Sequence, residues 1–274
     1  MIEVSYIGRP KSRTVMYLTG KANVSLEPLR HVDDCTIFVD RDVTIPPDIA
    51  SRHRFVISDN PVKAYVEFIE PLRNIRREEL RAFIRSGRAV CEDAYIAAGV
   101  SLACGAVIGP GAVIEDGVTI RAGAVVRNCT VRAGAVIGEN CVIGADAFTY
   151  YREGEELIAI PTLGRVEIGE GCGIGPGTVV AASTADMTII GRHSRIGANC
   201  VIEHDNRIGT GCLIGDGVIT GGYVGIGEKS VVGMRSVIKN RVVIGADAVI
   251  GMGSNVLKDV ADGTTVYGNP ARPR

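Results

Sequence analysis

The 274-residue sequence contains no tryptophan, 5% aromatic residues and four histidines, and its 30 basic and 31 acidic residues nearly cancel. Without a net positive charge, the chain has no general field to hold nucleic acid or an acidic membrane surface. No apolar run is long enough to span a bilayer, and the first residues lack the basic-then-apolar pattern of a secretory signal. We therefore expect a cytoplasmic protein that neither binds nucleic acid nor inserts into a membrane.

Metal-binding and disulfide patterns are also missing, although eight cysteines are present. There is no Cys-x-x-Cys pair, and Cys141, Cys172, Cys200 and Cys212 each stand two residues before an isoleucine. Alanine fills the same slot elsewhere in the chain, and free cysteine packs well as a small apolar side chain. The pattern predicts buried thiols rather than disulfides or a zinc site, so we expect no bound metal.

The strongest feature is an aliphatic residue at every sixth position. The column runs through Ile96, Leu102, Ile108, Ile114, Ile120 and Val126, slips by one residue to Val131, Ile137 and Ile143, and resumes at Ile168, Ile174 and Val180. A last run extends from Ile190 to Val256, and Thr220 is its one break. A period of six fits neither a helix nor a hairpin sheet and is typical of hexapeptide repeats that stack into a β-helix.

The remaining sequence divides around this repeat. We expect a small mixed α/β domain at 1–70, a helical connector at 71–90, the β-helix at 91–258 and a tail at 259–274. An inserted loop at 145–166 interrupts the repeat with aromatic and charged residues, and such insertions often lie at the binding face. The predicted fold class is therefore an all-β solenoid preceded by a small α+β domain.

Shorter patterns supply further expectations. Residues 36–39 and 55–57 read as strands, and a helix is expected from Pro61. The connector combines an apolar stripe with five arginines on its other side. Such a run is usually a solvated helix face, and docking of an acidic carrier protein is the alternative.

Four segments carry a resemblance to a known family. They are Asp59-Asn60-Pro61-Val62-Lys63-Ala64-Tyr65, the inserted stretch from Ile160 to Gly169, Asp186-Met187-Thr188-Ile189-Ile190-Gly191, and Ile202-Glu203-His204-Asp205. Across nearly the whole chain the arrangement resembles the UDP-3-O-acylglucosamine N-acyltransferases of lipid A (lipopolysaccharide) synthesis. The resemblance implies a left-handed coil, a homotrimer and a nucleotide-binding-like domain at 1–70. It also implies transfer of an acyl group from a thioester to the amino group of a nucleotide-linked (UDP-linked) amino sugar.

The resemblance also implies site residues. His204 falls where the family places its catalytic histidine, and Gly222, three hexads later, should stack beside it with a backbone N–H that stabilises the oxyanion. The proposed sugar-nucleotide contacts are Tyr17, Asn23, Phe148, Tyr150 and Arg165, and the proposed donor contacts are Asn240 and Arg241. Asn23 stands where the family has a second uracil-stacking aromatic residue, and Arg241 where it has a second histidine. From its neighbours alone, His204 reads as a turn residue hydrogen-bonded to Glu203 or Asp205, and it is the resemblance that favours the catalytic role.

Several alternatives stay open at this level. The chain has no helices after the repeat and ends on a Gly-Asn-Pro-Ala tail like that of short-chain sugar acetyltransferases, so we expect acyl-coenzyme A rather than acyl carrier protein as co-substrate, and no tightly bound cofactor. A non-catalytic scaffold that binds nucleotide sugars is possible on the same coil. A trimeric metal hydrolase of the carbonic anhydrase type is a third possibility, but His193 and His204 lack the close spacing of that class.

Overall fold

A computed structural model describes residues 3–20 and 24–273. It divides into two compact units. The first unit contains Met1–Glu78, Thr149–Leu163 and Thr184–Asp186, and the second contains Glu79–Phe148, Gly164–Ser183 and Met187–Arg274. Over the described ranges, no helix is both long and apolar enough to cross a membrane.

The first unit is built on a parallel sheet of β1 (Val15–Leu18), β2 (Thr36–Val39) and β3 (Arg54–Ile57). A 3-10 helix spans Glu27–His31, and the helices α1 and α2 span Pro47–Ala50 and Pro61–Phe68. The strands expected at 36–39 and 55–57 and the helix expected from Pro61 are therefore confirmed. Helix α2 begins there because Pro61 suits the first helical position and the Asn60 side chain accepts a hydrogen bond from the Lys63 backbone N–H.

Part of the inserted segment completes this unit. It forms an antiparallel hairpin of Tyr150–Glu153 and Glu156–Ala159. Beyond the hairpin, Ile160 and Leu163 pack with Tyr65 and Ile69 in one buried apolar cluster. The charged side chain of Lys63 binds Glu153 of the hairpin.

The connector forms a single helix, α3 (Glu70–Ser86). None of its residues is fully buried, and Ile75 and Ile84 are 57% and 66% exposed. The amphipathic pattern therefore predicted the helix correctly.

The second unit is a coil of short strands arranged in three parallel sheets, named here faces A, B and C in the order the chain visits them. Face A contains Tyr95–Ile96, Val113–Ile114, Cys129–Val131, Arg165–Ile168, Met187–Ile190, Arg207–Ile208, Gly225–Ile226 and Val243–Ile244. Face B contains Ser101–Leu102, Thr119–Ile120, Val136–Ile137, Gly173–Ile174, Arg195–Ile196, Leu213–Ile214, Val231–Val232, Val249–Ile250, Thr265–Tyr267 and the antiparallel Arg272–Pro273. Face C contains Val107–Ile108, Val125–Val126, Val142–Ala145, Val179–Ala181, Val201–Ile202, Ile219–Thr220, Val237–Ile238 and Asn255–Val256.

The hexad column forms the interior of this coil. In most two-residue strands the second residue is buried and the first faces outward, because successive side chains of a strand point to opposite sides. Ile202, for example, pairs with Val180 in the preceding coil and with Thr220 in the following one. The six-residue period therefore predicted the β-helix correctly.

The slot two residues before each core position does more than fill space. All eight cysteines are free, and the buried thiols of Cys141, Cys172, Cys200 and Cys212 each donate a hydrogen bond to a glycine carbonyl. The hydroxyls of Thr178, Ser194, Ser230 and Ser236 make the same type of bond. Desolvation in the interior raises the pKa of the Cys129 thiol to about 12. The expectation of buried free thiols is confirmed for these cysteines, and the slot also accepts small hydrogen-bond donors.

Candidate active site

The candidate site lies in the second unit, at the turn that joins faces C and A. Residues Glu203 to Asn206 follow the strand Val201–Ile202 and precede Arg207–Ile208. The turn requires a left-handed backbone at its third residue, and Asp205 adopts it with φ 62°. Aspartate is one of the few non-glycine residues that enter this region readily, so the local sequence suits the turn.

His204 and Asp205 form a buried pair within this turn. Nδ1 of His204 lies 2.9 Å from Oδ2 of Asp205, and the two side chains are 10% and 0% exposed. The other carboxylate oxygen of Asp205 accepts a hydrogen bond from the Ser183 hydroxyl at 2.6 Å. Because a carboxylate only accepts hydrogen bonds, Nδ1 of a neutral His204 carries the proton and Nε2 keeps its lone pair.

Gly222 stands directly beside the histidine ring, one coil further on. A Cβ atom added at Gly222 would lie 2.5 Å from both Cε1 and Nε2 of His204, so only glycine fits without moving the ring. Within the described part of the chain, the backbone N–H of Gly222 makes no hydrogen bond and Nε2 of His204 has no protein partner. The site thus presents a proton acceptor and a backbone donor side by side.

Two further side chains from the following coils stack in series on the histidine, first Tyr223 and then Arg241 on Tyr223. The Tyr223 ring meets the His204 ring edge to face, with centroids 5.2 Å apart and planes at 90°. The guanidinium carbon of Arg241 lies 4.6 Å from the centre of the Tyr223 ring, within cation–π range. Tyr223 and Arg241 occupy the same turn position as Asp205, one and two coils further on, with φ 62° and 66°.

A cavity of about 480 Å³ opens next to Arg241. Its lining is rich in positive charge, with Lys239, Arg241 and Lys258 opposed by Asp259. Asn240 also lines it and stands one coil beyond Gly222 in the same position of the repeat. The two expected donor contacts therefore lie on the same edge of the coil as His204 and Gly222.

The other expected site residues are distributed differently. Tyr17 and Tyr150 belong to the first unit, where the Tyr17 ring lies 4.9 Å from the ring of Tyr65. Phe148 belongs to the second unit and is 77% exposed. Asn23 lies outside the described residues. None of these positions is tested for ligand contact, so their roles stay predictions.

Arg165 makes contacts that sequence reasoning did not anticipate. Its Nη2 donates to the carbonyl oxygens of Gly111 at 2.8 Å and Cys129 at 3.1 Å. These bonds tie neighbouring coils together on face A. A role in sugar binding would be additional to this structural one.

Sequence reasoning also missed Ser183 and Tyr223 and treated Asp205 only as a possible turn partner of the histidine. Ser183 lies in an irregular stretch that breaks the hexad register, so its neighbours could not be read from the repeat. Tyr223 follows Gly222 in the unbroken register, and stacking it one coil beyond Asp205 was a signal that could have identified it.

Comparisons with known proteins agree with this architecture. Residues 134–149 and 223–258 match the family model "Hexapeptide repeat of succinyl-transferase". A UDP-3-O-acylglucosamine N-acyltransferase of Dechloromonas aromatica is 35% identical over 90 residues, or 33% of this chain and 24% of that protein. UDP-3-O-acylglucosamine N-acyltransferase 1 of Francisella tularensis is 38% identical over 77 residues, or 27% of this chain and 22% of that protein. The chain thus matches about a quarter of the length of these curated relatives.

Solved structures extend the likeness to most of the chain. LpxA from Acinetobacter baumannii matches with a TM-score of 0.62 and 27% identity over 68% of this chain and 70% of that one. A UDP-N-acetylglucosamine acyltransferase from Campylobacter jejuni matches with a TM-score of 0.52 at 22% identity over 68% of this chain and 73% of that one, which shows the fold alone. The fold is thus the left-handed parallel β-helix of hexapeptide-repeat proteins, and the predicted fold class is confirmed. The two curated relatives are UDP-3-O-acylglucosamine N-acyltransferases, so the resemblance to that family is confirmed over the 33% and 27% of this chain that they match.

Proposed function

We propose that the protein is a cytoplasmic N-acyltransferase that moves an acyl group from a thioester to the amino group of a nucleotide-linked, most simply UDP-linked, amino sugar. The thioester is carried by coenzyme A or by an acyl carrier protein. The observation that carries the proposal is the buried Asp205–His204 pair whose Nε2 stands beside Gly222. The names of the matched relatives support the amino acceptor and the UDP group.

The geometry suits a base-assisted acyl transfer. The amine nitrogen attacks the thioester carbonyl carbon, and Nε2 of His204 removes a proton from that nitrogen as the C–N bond forms. Asp205 stabilises the resulting imidazolium through Nδ1–H, and Ser183 holds the carboxylate. The N–H of Gly222 donates to the oxyanion of the tetrahedral intermediate. When the C–S bond breaks, the imidazolium returns the proton to the leaving thiolate.

The basic cavity is our candidate for the donor. Both coenzyme A and carrier-bound pantetheine bear phosphate groups, and Lys239, Arg241 and Lys258 supply three positive charges. Asn240 adds an amide on the same wall. A pantetheine arm that runs along this edge would bring its thioester to Gly222, since Asn240 and Gly222 occupy equivalent positions in consecutive coils.

The acceptor contacts proposed from the sequence stay with Tyr17, Asn23, Phe148, Tyr150 and Arg165. Phe148 and Tyr150 are 77% and 48% exposed, which is unusual for large aromatic side chains and suits stacking on a ring of a ligand. Tyr17 is half-buried against Tyr65. We propose that these aromatic residues contact the nucleotide sugar.

A homotrimer is part of the proposal. In seven consecutive coils face C turns an aliphatic side chain outward, namely Val107, Val125, Val142, Val179, Val201, Ile219 and Val237. Ile219 and Val237 are exposed and the other five are half-buried, and a continuous apolar row of this kind favours burial against another subunit. Val201 and Ile219 each precede the site residue of their own coil by three positions, so a subunit on face C would form a wall of the site. Light scattering that gives a monomer at micromolar concentration would contradict the assembly, and Ile219→Lys should dissociate it.

The reaction is tested with purified protein and a panel of acceptors and donors. The acceptors are UDP-, GDP- and dTDP-linked amino sugars together with UDP-N-acetylglucosamine, which offers only hydroxyl groups. The donors are acetyl-coenzyme A and hydroxyacyl carrier protein, and products are identified by mass spectrometry. We expect an amide product with a UDP-amino sugar. Ester formation with UDP-N-acetylglucosamine alone would assign the enzyme to O-acylation, and tight nucleotide-sugar binding without any turnover would favour the scaffold.

A further inference from the structure

The interior of the coil contains buried polar side chains next to the His204 turn, where aliphatic side chains fill the equivalent positions of other coils. The core column of face C is aliphatic at Val180, Ile202, Ile238 and Val256 and polar only at Thr220. On face A, the buried position two residues before the core isoleucine is occupied in the last four coils by Thr188, Asn206, Val224 and Val242. This position is therefore polar in the first two of these coils and aliphatic in the last two. Thr188, Asn206 and Thr220 are each 0% exposed.

All three side chains hydrogen-bond to the backbone of the His204 turn. Oγ1 of Thr220 accepts from the Glu203 N–H at 3.1 Å, and Oγ1 of Thr188 accepts from the Asp205 N–H at 2.9 Å. Nδ2 of Asn206 donates to the carbonyl oxygens of Glu203 at 2.6 Å and His204 at 3.3 Å.

The same amide also reaches the neighbouring coil. Nδ2 of Asn206 lies 2.9 Å from the carbonyl oxygen of Gly221, so the amide bridges the histidine turn and the residue before Gly222. This arrangement is costly, because Oδ1 of Asn206 is buried without a hydrogen-bond partner in the described ranges. An aliphatic residue, as at Val224 and Val242, would avoid that cost.

We propose that Thr188, Asn206 and Thr220 form a polar brace that holds the His204 turn in register with Gly222. The inference rests on the proposed function, in which proton transfer at Nε2 and oxyanion binding at Gly222 must occur side by side. The brace residues are positioning residues, because their side chains hydrogen-bond to backbone groups of the turn and of the adjoining coil rather than to the imidazole. The three polar side chains replace apolar ones that would pack better inside the coil, and in return they fix the geometry of the turn.

The proposal predicts that activity and stability separate. Thr220→Val restores the aliphatic column and removes the acceptor for the N–H of Glu203, a residue that is only partly buried. We expect an unchanged or higher melting temperature, amide exchange in a peptide covering 201–207 faster by about tenfold, and kcat lower by about tenfold at unchanged KM. Thr220→Ser keeps the hydroxyl and should restore both values.

Thr178→Val is the matched control. Thr178 is equally buried and its hydroxyl bonds the Gly197 carbonyl and the Cys200 N–H, so its hydrogen bonds lie outside the turn at 203–206. It should leave exchange at 201–207 and kcat within about twofold of wild type. Thr188→Val should behave like Thr220→Val.

Each outcome bears on the brace. Unchanged exchange at 201–207 in both Thr220→Val and Thr188→Val would overturn it, as would equal effects from Thr178→Val. If the wild-type protein acylates nothing in the panel, the proposed function fails, and the exchange measurement still decides whether the brace holds the turn.

Discussion

Two turns of the coil follow the same backbone path and do different things. At the turn before Val201–Ile202, Asn199 takes the left-handed conformation with φ 53°, and the Cys200 thiol donates to the Gly215 carbonyl. At the next turn, Asp205 takes the same conformation with φ 62°, but its carboxylate binds His204 and Ser183. The comparison shows that the repeated backbone of the coil can hold the His204–Asp205 pair through a change of a few side chains, with no change in the spacing of the coils.

The largest expected effect comes from removing the base. His204→Ala should lower kcat by about 10²–10⁴-fold while melting temperature and nucleotide-sugar affinity stay near wild type. The turn keeps Asp205 in its left-handed conformation, so folding does not depend on the ring. Steady-state kinetics and thermal unfolding check this. If kcat of the variant stays within about threefold of wild type, the His204 turn has no more catalytic importance than the Asn199 turn, and the base lies elsewhere.

Changing the partner of the histidine should have a smaller effect. Asp205→Asn keeps a residue that tolerates positive φ but replaces a carboxylate with a neutral amide, so the imidazolium formed in the reaction loses its counter-charge. We expect kcat to fall by about 10–10²-fold with little change in KM. Asn199→Asp provides the control, since it makes the plain turn resemble the active one without a histidine. Equal losses in the two variants would point to a general backbone effect.

Gly222→Ala tests the close approach between neighbouring coils. Its Cβ would lie 2.5 Å from Nε2 of His204 and must displace the ring, so kcat should fall by about tenfold or more. Gly225→Ala is the control, because its Cβ would meet only Val243 side-chain carbons at 3.8 Å. Normal activity in both variants would show that the histidine ring need not stand against Gly222.

The smallest expected effect is on the reactivity of the buried thiols in the other turns of the coil. Desolvation raises the pKa of the buried thiols of Cys129, Cys141, Cys172, Cys200 and Cys212 above the ordinary value. In the native protein at pH 8, iodoacetamide should therefore modify the exposed Cys104 first and leave these five unmodified, as mass spectrometry of digests would show. Rapid labelling of Cys200 would mean that the coil opens there.

The same shift has a defined sign for stability. Because these thiols ionise more readily in the unfolded chain, their contribution is complete below the unfolded pKa of about 8.5 and declines as pH rises through the folded pKa. The free energy of unfolding should therefore fall from about pH 8.5 upward. Replacing Cys141, Cys172, Cys200 and Cys212 with alanine should weaken that dependence.

The repeat made the fold accessible to sequence reasoning because each inward position of a coil must be aliphatic and the spacing cannot vary. The same register placed Gly222 beside His204, since both lie in the unbroken run from Ile190 to Val256. It could not place Ser183 or the Thr188 hydroxyl contact, because the segment 181–188 leaves the six-residue period. Handedness also lies outside the period, which is the same for either hand of coil.

The amino-acid sequence by itself determined the stacked coil and the buried thiol slot, because both follow from local spacing. The candidate histidine was indicated by the resemblance of its segment to a known family. Only the tertiary structure decided that Ser183 and Thr188 meet the His204 turn. Both reach the turn from the preceding coil, and those contacts depend on how the chain returns after its insertions. In the sequence Thr220 interrupts the aliphatic column. In the fold its hydroxyl, like the side chains of Thr188 and Asn206, hydrogen-bonds to the backbone around one turn, because parallel coils bring residues 15 to 17 apart into contact.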